Sequence, residues 1–213
     1  HLKKSMQALS DALEDSLNKS GVNIVFGQKV NSINFDGITK NWKVCATSKL
    51  EELDYYADDV IYTPPPQSLM KYLEKPLDKD HNYKKIIQRL PDPSGALVFY
   101  SALKKDHIKL LSSNHYQFVS NELGSLFVSI SEEGDGRAPK GEITLIASLF
   151  TKTNDWFSLD KHDYIKKKKE YLQKISTVIE SQFDIASENW LHRELATPLG
   201  FERWTNRPNG IVG

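Results

Sequence analysis

The chain has 213 residues, 39% of them apolar, and 28 Lys and Arg balance 28 Asp and Glu. That length suits one large domain or two small ones with a real core. The zero formal net charge argues against a protein that holds nucleic acid through surplus positive charge, and against a strongly basic membrane anchor.

The single cysteine, Cys45, rules out an internal disulfide and fits a reducing compartment. It sits in the alternating run Trp42 to Ala46 and reads as a buried strand residue. No stretch reaches the roughly 18 apolar residues that span a bilayer, and no signal peptide is expected within the chain. A cytoplasmic protein is expected, with peripheral membrane contact as a further expectation. Both ends read as cut: the chain starts without Met and stops at Gly210-Ile211-Val212-Gly213.

In chain order, Met6, Leu9, Leu13 and Leu17 recur at helical spacing and predict an amphipathic helix that stops at Gly21. Strands are predicted at Val22 to Phe26, Lys29 to Phe35, Trp42 to Thr47 and Asp59 to Thr63, with a turn at Asp36-Gly37. Pro64-Pro65-Pro66 cannot continue a central strand and reads as the boundary between two lobes. Short helices follow at Gln67 to Leu73 and His81 to Leu90. From Gly95 the pattern turns to strands. Both faces of the run Leu97 to Ala102 are apolar, which suggests a strand covered on two sides. Similar runs lie at Tyr116 to Ser120, Ser125 to Ser131 and Ile143 to Phe150, with Gly134 to Pro139 as a loop. Asp160 caps a long helix whose inner stripe is Tyr164, Tyr171, Leu172, Ile175, Val178, Ile179 and Phe183. Trp190 to Leu195 is a last strand, and Pro198 to Gly213 reads as a loop. The sum is an α/β (α+β) protein of two lobes.

Local chemistry is sparse. The run Lys166 to Lys169 reads as a solvated helix face. The histidines have no metal-ligand spacing, so no metal site is expected. His192, in the charged triplet His192-Arg193-Glu194, is a candidate for a catalytic role, as histidines in general serve in proton transfer, and reads as structural or surface. Glu132, Glu133 and Asp135 read as an exposed acidic turn rather than a cation site. Phe201, Arg203, Trp204 and Arg207 are open to two readings: stacking on a flat ligand, or packing. No catalytic residue is assigned.

A set of ordered segments resembles the phytoene-desaturase family of flavoproteins, in its carotenoid C-3′,4′-desaturase and carotene-isomerase branch. The segments are Ser5-Met6 through Leu9 and Leu13, Gly27-Gln28-Lys29-Val30-Asn31-Ser32-Ile33, and Ala57-Asp58-Asp59-Val60-Ile61 to Pro65. Further along come Leu126 to Ser131, Gly134 to Pro139, and Ala196-Thr197-Pro198 through Phe201, Trp204, Arg207 and Gly213. One departure is Lys4-Ser5, where relatives often carry Gly-Gly before the Met.

The resemblance implies part of an FAD-binding flavoprotein fold plus a mixed-sheet substrate domain flanked by helices. Residues 1–65 would be a partial FAD-binding domain without the Gly-x-Gly-x-x-Gly unit. Residues 66–195 would be the substrate domain and 196–213 a return segment. It implies FAD as cofactor of the full-length protein, weakly held by this chain alone. Val30 would meet the adenine through its backbone, and Pro64 and Pro65 would lie near the flavin. The implied substrate is an apolar carotenoid, with Phe99, Val128, Phe201, Trp204 and Arg207 as substrate-binding candidates. The implied chemistry is hydride removal from a polyene C–C bond. A carotene cis–trans isomerase on the same fold, and a non-catalytic lipid or carotenoid carrier, remain alternatives. Leu69, Met70, Tyr72, Leu73 and Leu77 are candidates for a membrane-facing patch. The oligomeric state is not legible.

Overall fold

The computed structural model describes residues 6–49, 51–78, 81–91, 93–109, 113–132 and 134–212. It is an α+β protein whose chain divides into two compact units. One is Glu14–Asp92; the other is His1–Leu13 together with Pro93–Gly213. Helix α1 (Gln7–Lys19) crosses the division. Its stripe of Leu9, Leu13 and Leu17 forms as the periodicity requires, and all three remain exposed. Gly21 ends it with a positive φ of 77°, the left-handed geometry a helix stop favours.

In the unit Glu14–Asp92, β1 (Lys29–Asp36), β2 (Asn41–Thr47) and β3 (Glu52–Ala57) form an antiparallel meander. Asp36 builds the first turn: its carboxylate accepts from the Ile38 amide and the Thr39 hydroxyl, both at 2.8 Å. Those hydrogen bonds hold the Asp36 carboxyl below its ordinary value. Register puts Ile33, Val44 and Tyr55 in one row and Ser32, Cys45 and Asp54 in another. Cys45 is therefore half-buried on the polar face, not buried as its apolar neighbours suggest.

Two predicted strands are corrected. Val22 to Phe26 and Asp59 to Thr63 are not strands among the described residues. β-propensity alone cannot satisfy backbone amides; a strand needs a neighbour to pair with. The pairing went instead to Glu52–Ala57, which the Ser48–Glu51 turn folds straight back onto β2. Pro64–Pro66 lie inside this unit and open a 3₁₀ helix, Pro66–Lys71. Helix α2 (Asn82–Gln88) is capped by the His81 ring and tied back by the Tyr83 hydroxyl on the Pro66 carbonyl.

The other unit is a five-stranded sheet in the order β5-β6-β7-β4-β8. Its strands are β4 (Ser94–Lys104), β5 (His115–Ser120), β6 (Gly124–Ile130), β7 (Glu142–Lys152) and β8 (Trp190–Ala196). Every pairing is antiparallel, where a mixed sheet was expected. Direct returns from β5 to β6 to β7 bring each strand back against its predecessor, and parallel neighbours would need crossovers. Short α3 (Asn154–Phe157) and long α4 (Lys161–Phe183) link β7 to β8.

The Asp160 carboxylate caps α4 by accepting from the Asp163 amide at 2.8 Å, which fits the sequence reading of that residue. Ile175, Ile179 and Phe183 then join Leu97, Phe99, Leu103, Val128 and Leu145 in one core. Glu180 fastens α4 to β8: it accepts from the Trp190 indole at 2.7 Å and pairs with Arg193 at 3.5 Å.

The expected loop after Pro198 is instead helix α5 (Pro198–Thr205), with proline at its first turn and Asn206 in the left-handed region after it. Beyond it Gly210, at φ +59°, lies against Pro198 so closely that a Cβ would stand 2.0 Å from the Pro198 carbonyl oxygen. Gly210→Ala should therefore destabilise this unit by at least about 2 kcal/mol, through the strained φ and the backbone clash together. Urea denaturation would read that as a lower midpoint; an unchanged midpoint would mean the turn opens at no cost.

Candidate functional site

The strand period of two divides the five-stranded sheet into unlike faces. One face carries Leu97, Phe99, Leu103, Val128, Leu145 and Ala147, all at most 1% exposed beneath α4. The other is open. Register lays out its rows: Phe127–Ser148–Val98–Ala196, then Ser129–Ile146–Tyr100–Glu194, then Thr144–Ala102–His192. Tyr100 is 40% exposed, Phe127 46% and Phe150 75%. An antiparallel sheet normally shows polar side chains to water on such a face, so these rings and aliphatics need an explanation.

At one end the face sinks into a groove of about 440 Å³, lined by Tyr100, Ala102, Thr144, Ile146, His192 and the loop residue Arg137. Its walls are mainly hydrocarbon with a few polar tips. Burial, and secondarily the Glu194 carboxylate, push the Tyr100 phenol up from its ordinary value. Tyr100 is thus a hydroxyl donor at neutral pH. The His192 ring lies 3.8 Å from the Glu194 carboxylate on the exposed edge strand β8.

The loop that brings Arg137 here is wound around Asp135. Its carboxylate accepts from the Glu132 amide and the Arg137 amide at 2.9 Å, and from Arg137 Nε at 2.7 Å. Asp135 is 8% exposed and departs from the exposed acidic turn expected here, whereas Glu132 is exposed as expected and Glu133 lies outside the described residues. The Asp135 oxygens hold the loop together.

The Arg137 side chain, and then the two amides, hold the Asp135 carboxyl below its ordinary value. A depressed folded pKa adds stability above the unfolded value, and that stability is lost as pH falls through the folded one. Asp135→Asn should cost about 1–3 kcal/mol near neutrality. It should also remove part of the loss of stability seen on acidification below about pH 4. Urea midpoints across that range check both; parallel pH curves for parent and variant would refute the assignment.

The sequence candidates are scattered over the fold. Phe99 and Val128 are wholly buried core side chains on the α4 side, so their neighbours Val98, Tyr100 and Phe127 take the open positions. Phe201 is half-buried on α5, while Trp204 and Arg207 are exposed. Trp204 is 83% exposed, with the Arg203 guanidinium 5.9 Å from its ring centre. Val30, Pro64 and Pro65 belong to the other unit. Val30 lies on edge strand β1 at 37% exposure. Pro64 is exposed, and Pro65 is buried with its carbonyl accepting from the Ser68 amide and hydroxyl.

Of the residues named for a membrane patch, Leu69, Tyr72, Leu73 and Leu77 are half-buried, and Met70 is exposed at 36%. Among the described residues one trio could offer three atoms to a metal, Asp160, His162 and Asp163. It is exposed, and Asp160 is already engaged as the α4 cap. Among the same residues no helix is long and apolar enough to cross a membrane.

Sequence reasoning missed Tyr100, Ile146, Phe127 and Arg137 as open-face or groove residues. The signal was present as alternation, but with both faces apolar nothing in the string says which face α4 covers. No protein-family model and no curated protein matches this chain.

Proposed function

We propose that the chain is the substrate domain, with part of the flavin-binding domain, of an FAD-dependent oxidoreductase that desaturates carotenoids in the cytoplasm. The observation that carries this reading is the sheet itself. One face is sealed by α4, while the other presents Val98, Tyr100, Phe127, Ile146 and Phe150 to the outside. A long polyene has hardly any polar group to recognise and needs a broad apolar platform that excludes water. The ordered resemblance to the phytoene-desaturase family supports the same reading.

Bound FAD supplies the hydride acceptor in this chemistry. The residues here fit only a minor share of its binding. Val30 is on edge strand β1, where its main chain would meet the adenine ring, and Pro64 is exposed. No Gly-x-Gly-x-x-Gly occurs in these 213 residues, so a pyrophosphate would be held by chain other than this. The open face would orient the polyene, and Tyr100 and His192 would offer the groove's polar contacts.

The test is the protein made from the intact gene, incubated with acyclic and monocyclic carotenes while flavin absorbance and product mass are followed. Bound flavin and a product lighter by two hydrogens support the reading. Altered isomer composition at unchanged mass would replace it with an isomerase. Carotenoid retained without flavin or product would leave a carrier.

A further inference from the structure

We propose that edge strand β5 pairs with the β5 of a second copy of this chain, antiparallel about a two-fold axis at Phe118. This stands on the strand edge itself and does not depend on the carotenoid reading. Sheet edges present unpaired main-chain groups, and proteins guard them with charges, bulges or cover. The other edges here are guarded. β8 carries Arg193 and Glu194, and its register slips beside Ala102. β1 has a bulge between Val30 and Ser32, and Leu73 bridges its Ile33. β3 carries Glu52 and Asp54. β5, His115–Ser120, has no Asp, Glu, Lys, Arg, proline or bulge. Val119 stands 81% exposed on it.

The hydrogen-bond phase shows which part of β5 is open. The Ile130 amide donates to the Asn114 carbonyl at 2.9 Å. Counting on by twos, Tyr116 and Phe118 bond to β6, so His115, Gln117 and Val119 turn their main-chain groups outward. Ser113 serves the first of these: its hydroxyl donates to the His115 carbonyl and accepts from its amide, each at 3.1 Å. Gln117 and Val119 remain, and among the described residues no strand pairs with β5 on this side.

That short open stretch is complementary to itself. With the axis at Phe118, each Gln117 exchanges main-chain hydrogen bonds with the Val119 of the other copy. No charged side chain lies in the paired segment, so like charges do not meet across it. On the face away from α4, each exposed Val119 gains the neighbour its own sheet lacks. On the α4 side Phe118, half-buried against Tyr116 and Phe183, meets its counterpart. A two-fold contact of this kind closes after two copies and leaves the sheet continuous across both. It is a small contact, below about 1,200 Å² of buried surface, and belongs with weak, transient association.

The experiment is analytical ultracentrifugation of the 213-residue chain. Dimer should appear as protein concentration rises towards roughly 1 mM and disappear on dilution. Gln117→Pro deletes an outward amide that β6 does not use, and Val119→Lys places a charge on the edge. Each should weaken dimerisation about tenfold or more, with the unfolding midpoint of the monomer nearly unchanged. Register is read by cross-linking in a Cys45→Ser background. Gln117→Cys and Val119→Cys chains, mixed, should form a disulfide across directly opposed positions about 5.5 Å apart. Either chain alone should cross-link more slowly, since its own cysteines would lie roughly 7–8 Å apart. A chain that stays monomeric at the highest concentration would overturn the proposal. So would a dimer that survives Val119→Lys, or cross-linking that ignores register.

Discussion

Trp156→Ala is expected to lower the stability of the unit that contains it by about 3–5 kcal/mol, the usual cost of deleting a large aromatic from a packed interior. For a unit of this size that means a midpoint lower by roughly 10 °C or more. Trp156 is fully buried on a helix only four residues long. Its indole donates to Thr151 Oγ1 at 3.0 Å, and its ring meets Tyr164 and Tyr171 of α4 at 6.1 and 5.7 Å. Lys167 lies above it at 5.0 Å. The side chain thus joins the end of β7 to the first half of α4, and a cavity there would loosen both. Trp156→Phe keeps much of the volume and loses the indole hydrogen bond, so it should cost less, about 1–2 kcal/mol. Thermal and urea unfolding of both variants checks the order. Equal, small losses would mean that α4 is held by its far end alone.

The second large effect separates the two faces of the sheet by function. On the desaturase function proposed above, Ile146→Glu should lower carotenoid conversion, measured as kcat/KM on the protein from the intact gene, by a hundredfold or more. An unpaired carboxylate facing a polyene costs at least ~3 kcal/mol. Its stability cost should be about 1 kcal/mol, because Ile146 is only half-buried and solvent can reach the new charge. Val128→Glu should do the reverse. Val128 is wholly buried under α4, so a charge there would unfold the unit before its activity could be compared. Normal turnover in a folded Ile146→Glu protein would remove the open face from the substrate site.

Much of the fold was legible in the string. The spacing of Leu9, Leu13 and Leu17 specifies α1, and Asp160 with its apolar stripe specifies α4. Asp36-Gly37 specifies the first turn, and alternation locates β1, β2 and the five strands of the larger sheet. These signals are local: a capping carboxylate, a turn or a repeat of 3.6 or 2 residues acts within a few residues of itself. The candidate site was much less legible. Phe99 and Val128 were chosen where Tyr100 and Phe127 are the open positions. A one-residue step along a strand changes the face, and the sequence carries no mark of which face a distant helix will cover.

The sequence by itself determined helices α1 and α4, the Asp36-Gly37 turn, every described strand except β3, and the balance of charge. Tertiary structure decided what depends on partners. It gave β2 a neighbour at Glu52–Ala57 and left Val22 to Phe26 and Asp59 to Thr63 without strand pairing among the described residues. It turned the terminal loop into α5, seated by Gly210 against Pro198. It closed Asp135 inside its own loop and set α4 over one face of an antiparallel sheet. The physical reason is common to all of these: hydrogen-bond pairing and burial are properties of two segments together, and a sequence read one segment at a time holds only half of each.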